Sequence, residues 1–136
     1  MNRQEIIIKI VLAHYPGADG IYLFGSHFDK TAMPDSDMDI ALLLQPEQAK
    51  NEKNLILSSC RFDLEEHLHQ KVDLLNARHV STVFQKEIIS GKLIYCANQY
   101  AVDEFEMLTL SYYQKLNQER AGILEDFQKT GRAYAI

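Results

Sequence analysis

Between Gly20 and Gly25 stand only four residues, Ile21-Tyr22-Leu23-Phe24, and all four are apolar in body. A run this short between two breakers cannot complete a helix, and its unbroken apolar character suits a strand buried on both faces. Asp37 to Leu44 is a second apolar run, stopped by Pro46, and reads as a second strand. The link between them is long for a plain hairpin, so a short helix beginning after Ser26 is expected to use part of it. Buried strands need helices packed against their sheet, which the rest of the chain must supply.

Apolar periodicity supplies them. Arg3 to His14 carries Ile6 and Ile10, with Ile7 and Leu12, at helical spacing before Pro16-Gly17 breaks the pattern. Glu47 to Gln70 puts Leu57, Cys60, Leu64 and Leu68 on one helical face. Lys71 to Leu75 reads as a third strand, His79 to Ser90 as a helix with Val83 and Glu87 at helical spacing, and Gly91 takes the place favoured just past a helix end. Lys92 to Ala97 is a fourth strand. Tyr100 to Lys129 spaces Val102, Phe105, Thr109, Tyr112, Leu116, Ile123 and Phe127 by three, four or seven, the pattern of one amphipathic helix roughly 45 Å long. Gly122 permits the alternative of two shorter helices, and an outer half exposing Tyr112 or Tyr113 reads as a docking face for a partner.

The expected fold is therefore α+β: a small mixed β-sheet of about four strands flanked by helices. Residues 1–99 form the main domain, and 100–136 a helical segment that either belongs to the same compact unit or extends to a partner. With 136 residues there is no room for a second domain to hold an acceptor. Nineteen Asp and Glu against fourteen Lys and Arg give a net charge of -5, so a broad nucleic-acid groove is not expected. Cys60 and Cys96 match no zinc or redox spacing and lie in apolar runs, which reads as two reduced core residues in a cytoplasmic protein. Glu5 and Lys9 interrupt the N-terminal apolar run, so it is not a signal peptide, and no run is long enough to span a membrane.

The chemistry concentrates where the first two strands meet their link. Asp37 and Asp39 alternate along a strand, so both side chains fall on one face, and paired carboxylates suit a hard cation that takes its other ligands from phosphate. Asp73 sits between Val72 and Leu74, where an unpaired ionised carboxylate would be costly to bury. If the third strand lies beside the second, Asp73 joins the pair, and three carboxylates can hold two divalent ions, one at the attacking oxygen and one at the leaving phosphate. Gly25 lets a phosphate approach the backbone, and the Ser26 hydroxyl can cap a following helix and donate to phosphate oxygen. The run Asp35-Ser36-Asp37-Met38-Asp39 begins like a calcium loop, but Ile40 and Pro46 occupy the positions that require Gly and Glu. Neither a Walker loop, a dinucleotide fingerprint nor an HExxH motif is present. Arg61 and His67 resemble an Arg-His ribonuclease pair but read rather as solvated helix residues, and His27, near the phosphate site, reads either as a substrate contact or as an exposed loop residue.

Phe24-Gly25-Ser26, ten intervening residues, Asp37-Met38-Asp39-Ile40 and the later Asp73 resemble the signature of the DNA polymerase beta-like nucleotidyltransferase superfamily. Length and strand order make the chain similar to its minimal nucleotidyltransferase (MNT) branch, including the MntA-type antitoxins. The resemblance implies Asp37 and Asp39 as Mg2+ ligands, Asp73 as a ligand or base, Gly25 and Ser26 as nucleotide contacts, and two ions when ATP is bound. Many minimal members carry an Arg soon after Gly-Ser, whereas here His27-Phe28-Asp29-Lys30 follows, leaving Lys30 as a candidate cation. It also implies a HEPN ribonuclease toxin as partner, neutralised by adenylylation of a tyrosine. Two alternatives remain open: a small-molecule acceptor, and an antitoxin that acts by occlusion without catalysis.

Overall fold

The computed structural model describes residues 1–25, 37–52 and 54–130, the last helix with side chains as far as Gly122. The expected helix after Ser26, together with Ser26, His27 and Lys30 themselves, lies outside the described residues. Helix α1 spans Arg3–His14, as its periodicity predicts, and Asn2 caps it by accepting from the Glu5 amide. Strands β1 (Gly20–Phe24) and β2 (Met38–Leu43) run antiparallel, with Gly20 opposite Leu43 and Phe24 opposite Asp39.

Two separate helices, α2 (Pro46–Asn51) and α3 (Ser59–Leu68), replace the single helical segment expected over Glu47 to Gln70. The break has a local cause: the Ser58 side chain accepts from the Arg61 amide and starts a new helix. Leu57, which the pattern placed on the buried face, is 79% exposed because it precedes that start; Cys60, Leu64 and Leu68 are buried as expected.

Strand β3 (Val72–Asn76) pairs parallel with β2, and β4 (Lys92–Cys96) pairs antiparallel with the other side of β1, giving the order β3-β2-β1-β4. This is the four-stranded mixed sheet with flanking helices that the pattern predicts. A 3-10 turn at Ala77–His79 precedes α4 (Thr82–Ile89), which starts later than expected because Ser81 caps it. Ile88 is the buried residue of α4, while Val83 and Glu87 face outward. Helix α5 runs from Gln99 to Thr130 and passes through Gly122 without a break.

Strand alternation sorts the core into two layers. Ile21, Leu23, Met38, Ile40, Leu42, Val72 and Leu74 face α1 and α3, whereas Tyr22, Phe24, Ala41 and Leu43 face α4 and α5, meeting Ile88, Val102 and Phe105. The buried Tyr22 hydroxyl donates to Glu106 Oε2 at 2.7 Å, which pins α5 to the sheet, and burial followed by that carboxylate holds the phenol neutral far above its ordinary range. Cys60 is buried but Cys96 is exposed, contrary to the expectation of two core thiols: β4 is an edge strand, and its last residue has no layer over it. Among the described residues no helix is long and apolar enough to cross a membrane.

Candidate active site

Asp39 and Asp73 are register partners on the adjacent parallel strands β2 and β3, one residue from the start of each. Both occupy alternation positions on the α4/α5 face of the sheet, at the corner those helices leave uncovered: Asp39 is half-buried and Asp73 exposed. The burial cost expected for Asp73 therefore does not arise. Its apolar neighbours Val72 and Leu74 point to the other layer, and β3 is an edge strand. Asp37 stands exposed just before β2. Among the described residues, no group of three His, Cys, Asp or Glu side chains is placed to hold a metal ion.

Gly25 completes this corner. It follows Phe24, the register partner of Asp39, and its φ of +73° lies in the left-handed region that a side chain disfavours. A Cβ built there would collide with Asp39 Oδ2 and stand 3.1 Å from its Cγ. The absence of a side chain thus lets the Gly25 backbone lie against the carboxylate.

The edge position of Asp73 is fixed by contacts that the sequence reading did not foresee. Arg61 on α3 donates from Nε to the Val72 carbonyl at 3.0 Å and from Nη1 to the Ile56 carbonyl at 2.7 Å, while the Val72 amide donates to Glu65 Oε2 at 2.9 Å. Arg61 and Glu65 pair with each other at 3.3 Å, so one turn of α3 satisfies both outward backbone groups of the residue before Asp73. Arg61 is a structural clamp rather than a solvated helix residue. His67 bonds within its own helix, through Nδ1 to the Asp63 carbonyl. The i, i+4 spacing of Arg61 and Glu65 was readable, but that both would reach the strand depends on how α3 docks.

On the far side of Gly25 a cleft of about 400 Å³ opens, lined also by Lys86, Glu87, Ser90, Gly91 and Tyr113. Its floor is tight. A Cβ on Gly91 would collide with the Leu23 carbonyl and come within 2.8 Å of Phe24 Cβ, so the end of α4 sits directly on the last residues of β1. Gly91 stands just past the end of α4, as expected, and its lack of a Cβ permits this close approach; among the described glycines a positive φ is found at Gly25 and not at Gly91. Lys86 Nζ lies 5.6 Å from the centre of the Tyr113 ring and bonds to Ser90 Oγ at 3.0 Å.

Two carboxylates in register, Gly25 against one of them and a cleft alongside are the donor chemistry that suits a hard divalent cation, which takes one or two carboxylates and completes its shell with phosphate and water. The family model described as "Polymerase beta, Nucleotidyltransferase" matches residues 6–100. The chain is 33% identical over 133 residues to "Protein adenylyltransferase MntA" of Shewanella oneidensis, covering 97% of this chain and 92% of that one. Among solved structures it is similar to the "toxin-antitoxin with AMP-PNP" (TM-score 0.70, 30% identity, 92% of this chain and 98% of the other). It is also similar to a chain of the tri-AMPylated Shewanella oneidensis HEPN toxin in complex with MNT antitoxin (TM-score 0.65, 28% identity, 93% and 96%). The sequence match across the sheet and the likeness over nearly the full length agree: the chain belongs to the polymerase beta nucleotidyltransferase family.

Proposed function

We propose that this chain is an antitoxin that transfers AMP from ATP to a tyrosine hydroxyl of a cognate HEPN ribonuclease toxin and so neutralises it. The observation that carries this reading is the in-register pair Asp39 and Asp73 with Gly25 packed against Asp39, in a chain similar over nearly its full length to a protein adenylyltransferase. Asp37 and Asp39 serve as metal ligands, Asp73 as a further ligand or as the base toward the acceptor, and Gly25 and Ser26 as contacts to the triphosphate. Magnesium, when bound, neutralises phosphate charge and makes the α-phosphorus more electrophilic.

The chain's own residues do the positioning. Gly25 brings backbone donors close to the phosphates, and its lack of a Cβ keeps the Asp39 carboxylate at the same point. Arg61 and Glu65 hold Val72, and with it the level of Asp73 across from Asp39. The acceptor oxygen bonds to the α-phosphorus as the bond to the bridging oxygen breaks; pyrophosphate leaves with that electron pair, and the hydroxyl proton passes to Asp73 or to water. Past Thr109, α5 leaves the core and exposes Leu110 and Tyr112, an apolar stretch where the toxin docks in this reading.

The test incubates the chain with its HEPN partner, ATP and magnesium and measures the intact mass of the partner. An AMP increment with wild type, lost with Asp39→Ala, is expected. If Asp39→Ala still rescues growth while the partner carries no AMP, neutralisation is by occlusion and the catalytic reading falls.

A further inference from the structure

Among the described residues, Lys86 is the cation that lines the cleft beside Gly25, and nothing in the proposed site assigns it a role. Its ammonium lies over the Tyr113 ring and donates to Ser90 Oγ, and an ammonium carries three donors in all. It is half-buried, on the helix whose end rests against Leu23 and Phe24, so it is held near the turn where β1 stops. Glu87, the adjacent residue, is the opposing charge among the described lining residues.

We propose that Lys86 is a specificity-determining contact for the nucleotide, donating to oxygens of the triphosphate where its chain lies along the Gly25 side of the site. This rests on the reading of the site as a nucleoside triphosphate site. A triphosphate chain carries more negative charge than one divalent ion neutralises, and the Lys86 ammonium in the lining of the cleft beside Gly25 supplies a further cation. The Tyr113 ring and Ser90 Oγ hold the four-carbon stem in one conformation, so little side-chain freedom remains to be lost on binding. Glu87 works in the opposite direction and limits affinity by like-charge repulsion.

The charge arrangement gives two variants with effects of opposite sign. Affinity for AMP-PNP with magnesium is measured by calorimetry for wild type, Lys86→Met and Glu87→Gln, with thermal melting to establish that each is folded. Lys86→Met is expected to weaken binding about ten- to a hundredfold and Glu87→Gln to tighten it a few-fold. Adenosine affinity is expected to be the same for wild type and Lys86→Met, because the lost contact is to phosphate. If a folded Lys86→Met binds AMP-PNP as wild type does, or loses adenosine and AMP-PNP equally, the assignment is wrong while the transferase reading stands. If wild type binds no AMP-PNP, the transferase reading and this inference both fall.

Discussion

Gly25→Ala is the sharpest single test of how this corner is built. The residue stands at φ +73°, where an L side chain costs about 1–2 kcal/mol. The new methyl would overlap Asp39 Oδ2 outright and stand 3.1 Å from Cγ, against a comfortable carbon–carbon contact of about 3.5–4.0 Å. Either the turn or the carboxylate must therefore retreat, by about 1 Å, and a misplacement of that size in a reacting constellation costs on the order of a hundredfold in rate. Urea unfolding is expected to show a loss of about 1–2 kcal/mol, and the rate of AMP incorporation into the partner is expected to fall by about two orders of magnitude. Gly122→Ala is the control: a Cβ there meets nothing within 4 Å, and in the interior of α5 the exchange should stabilise by about 0.5–1 kcal/mol. Should Gly25→Ala transfer AMP within about threefold of wild type, the turn does not hold Asp39 in the reacting geometry and the site has been assembled from the wrong contacts.

Gly91→Ala drives a methyl into backbone, the Leu23 carbonyl and Phe24 Cα at 2.9 Å, so chemical denaturation should report a loss of about 1–3 kcal/mol, and a neutral result would mean that α4 does not rest on β1. In alkali, burial first and then Asp63 and Glu52 push the Cys60 thiol from 9.0 up to about 12, and burial, Glu52 and Cys60 push the Tyr15 hydroxyl from 10.0 up to about 12. The unfolded chain releases these protons first, so their stabilising contribution is complete below pH 9 and is lost as pH rises toward 12. Urea midpoints should hold to about pH 8 and then decline, and a flat profile to about pH 11 would contradict the burial of these groups. Iodoacetamide at neutral pH should modify the exposed Cys96 and spare the buried Cys60, read by peptide mass mapping; equal labelling would refute the assigned layers.

Much of the architecture is legible because its signals are local. The bounds of α1 follow from Asn2, the spacing of its isoleucines and the break at Pro16-Gly17, and the four strands lie within a residue of their apolar runs. The segment from Glu47 to Gln70 shows the limit of such reading. Its apolar spacing continues through Leu57, but the side-chain cap of Ser58 outweighs that spacing and starts a fresh helix, leaving Leu57 in solvent. Cys96 fails for a different reason: a strand pattern says that a residue alternates, and whether a layer covers it depends on where the strand lies in the sheet.

The sequence by itself determined the elements, the α+β class and the residue types that meet at the head of the sheet, because period, breakers and side-chain chemistry act over a few residues. The strand order, decided only in three dimensions, put Asp73 level with Asp39 and made β3 an edge whose backbone Arg61 and Glu65 must satisfy. It likewise brought Lys86 and Tyr113, distant in the chain, to the side of Gly25. Contacts of this kind depend on how whole elements pack against one another, and local pattern carries no record of which helix will lie over which strand.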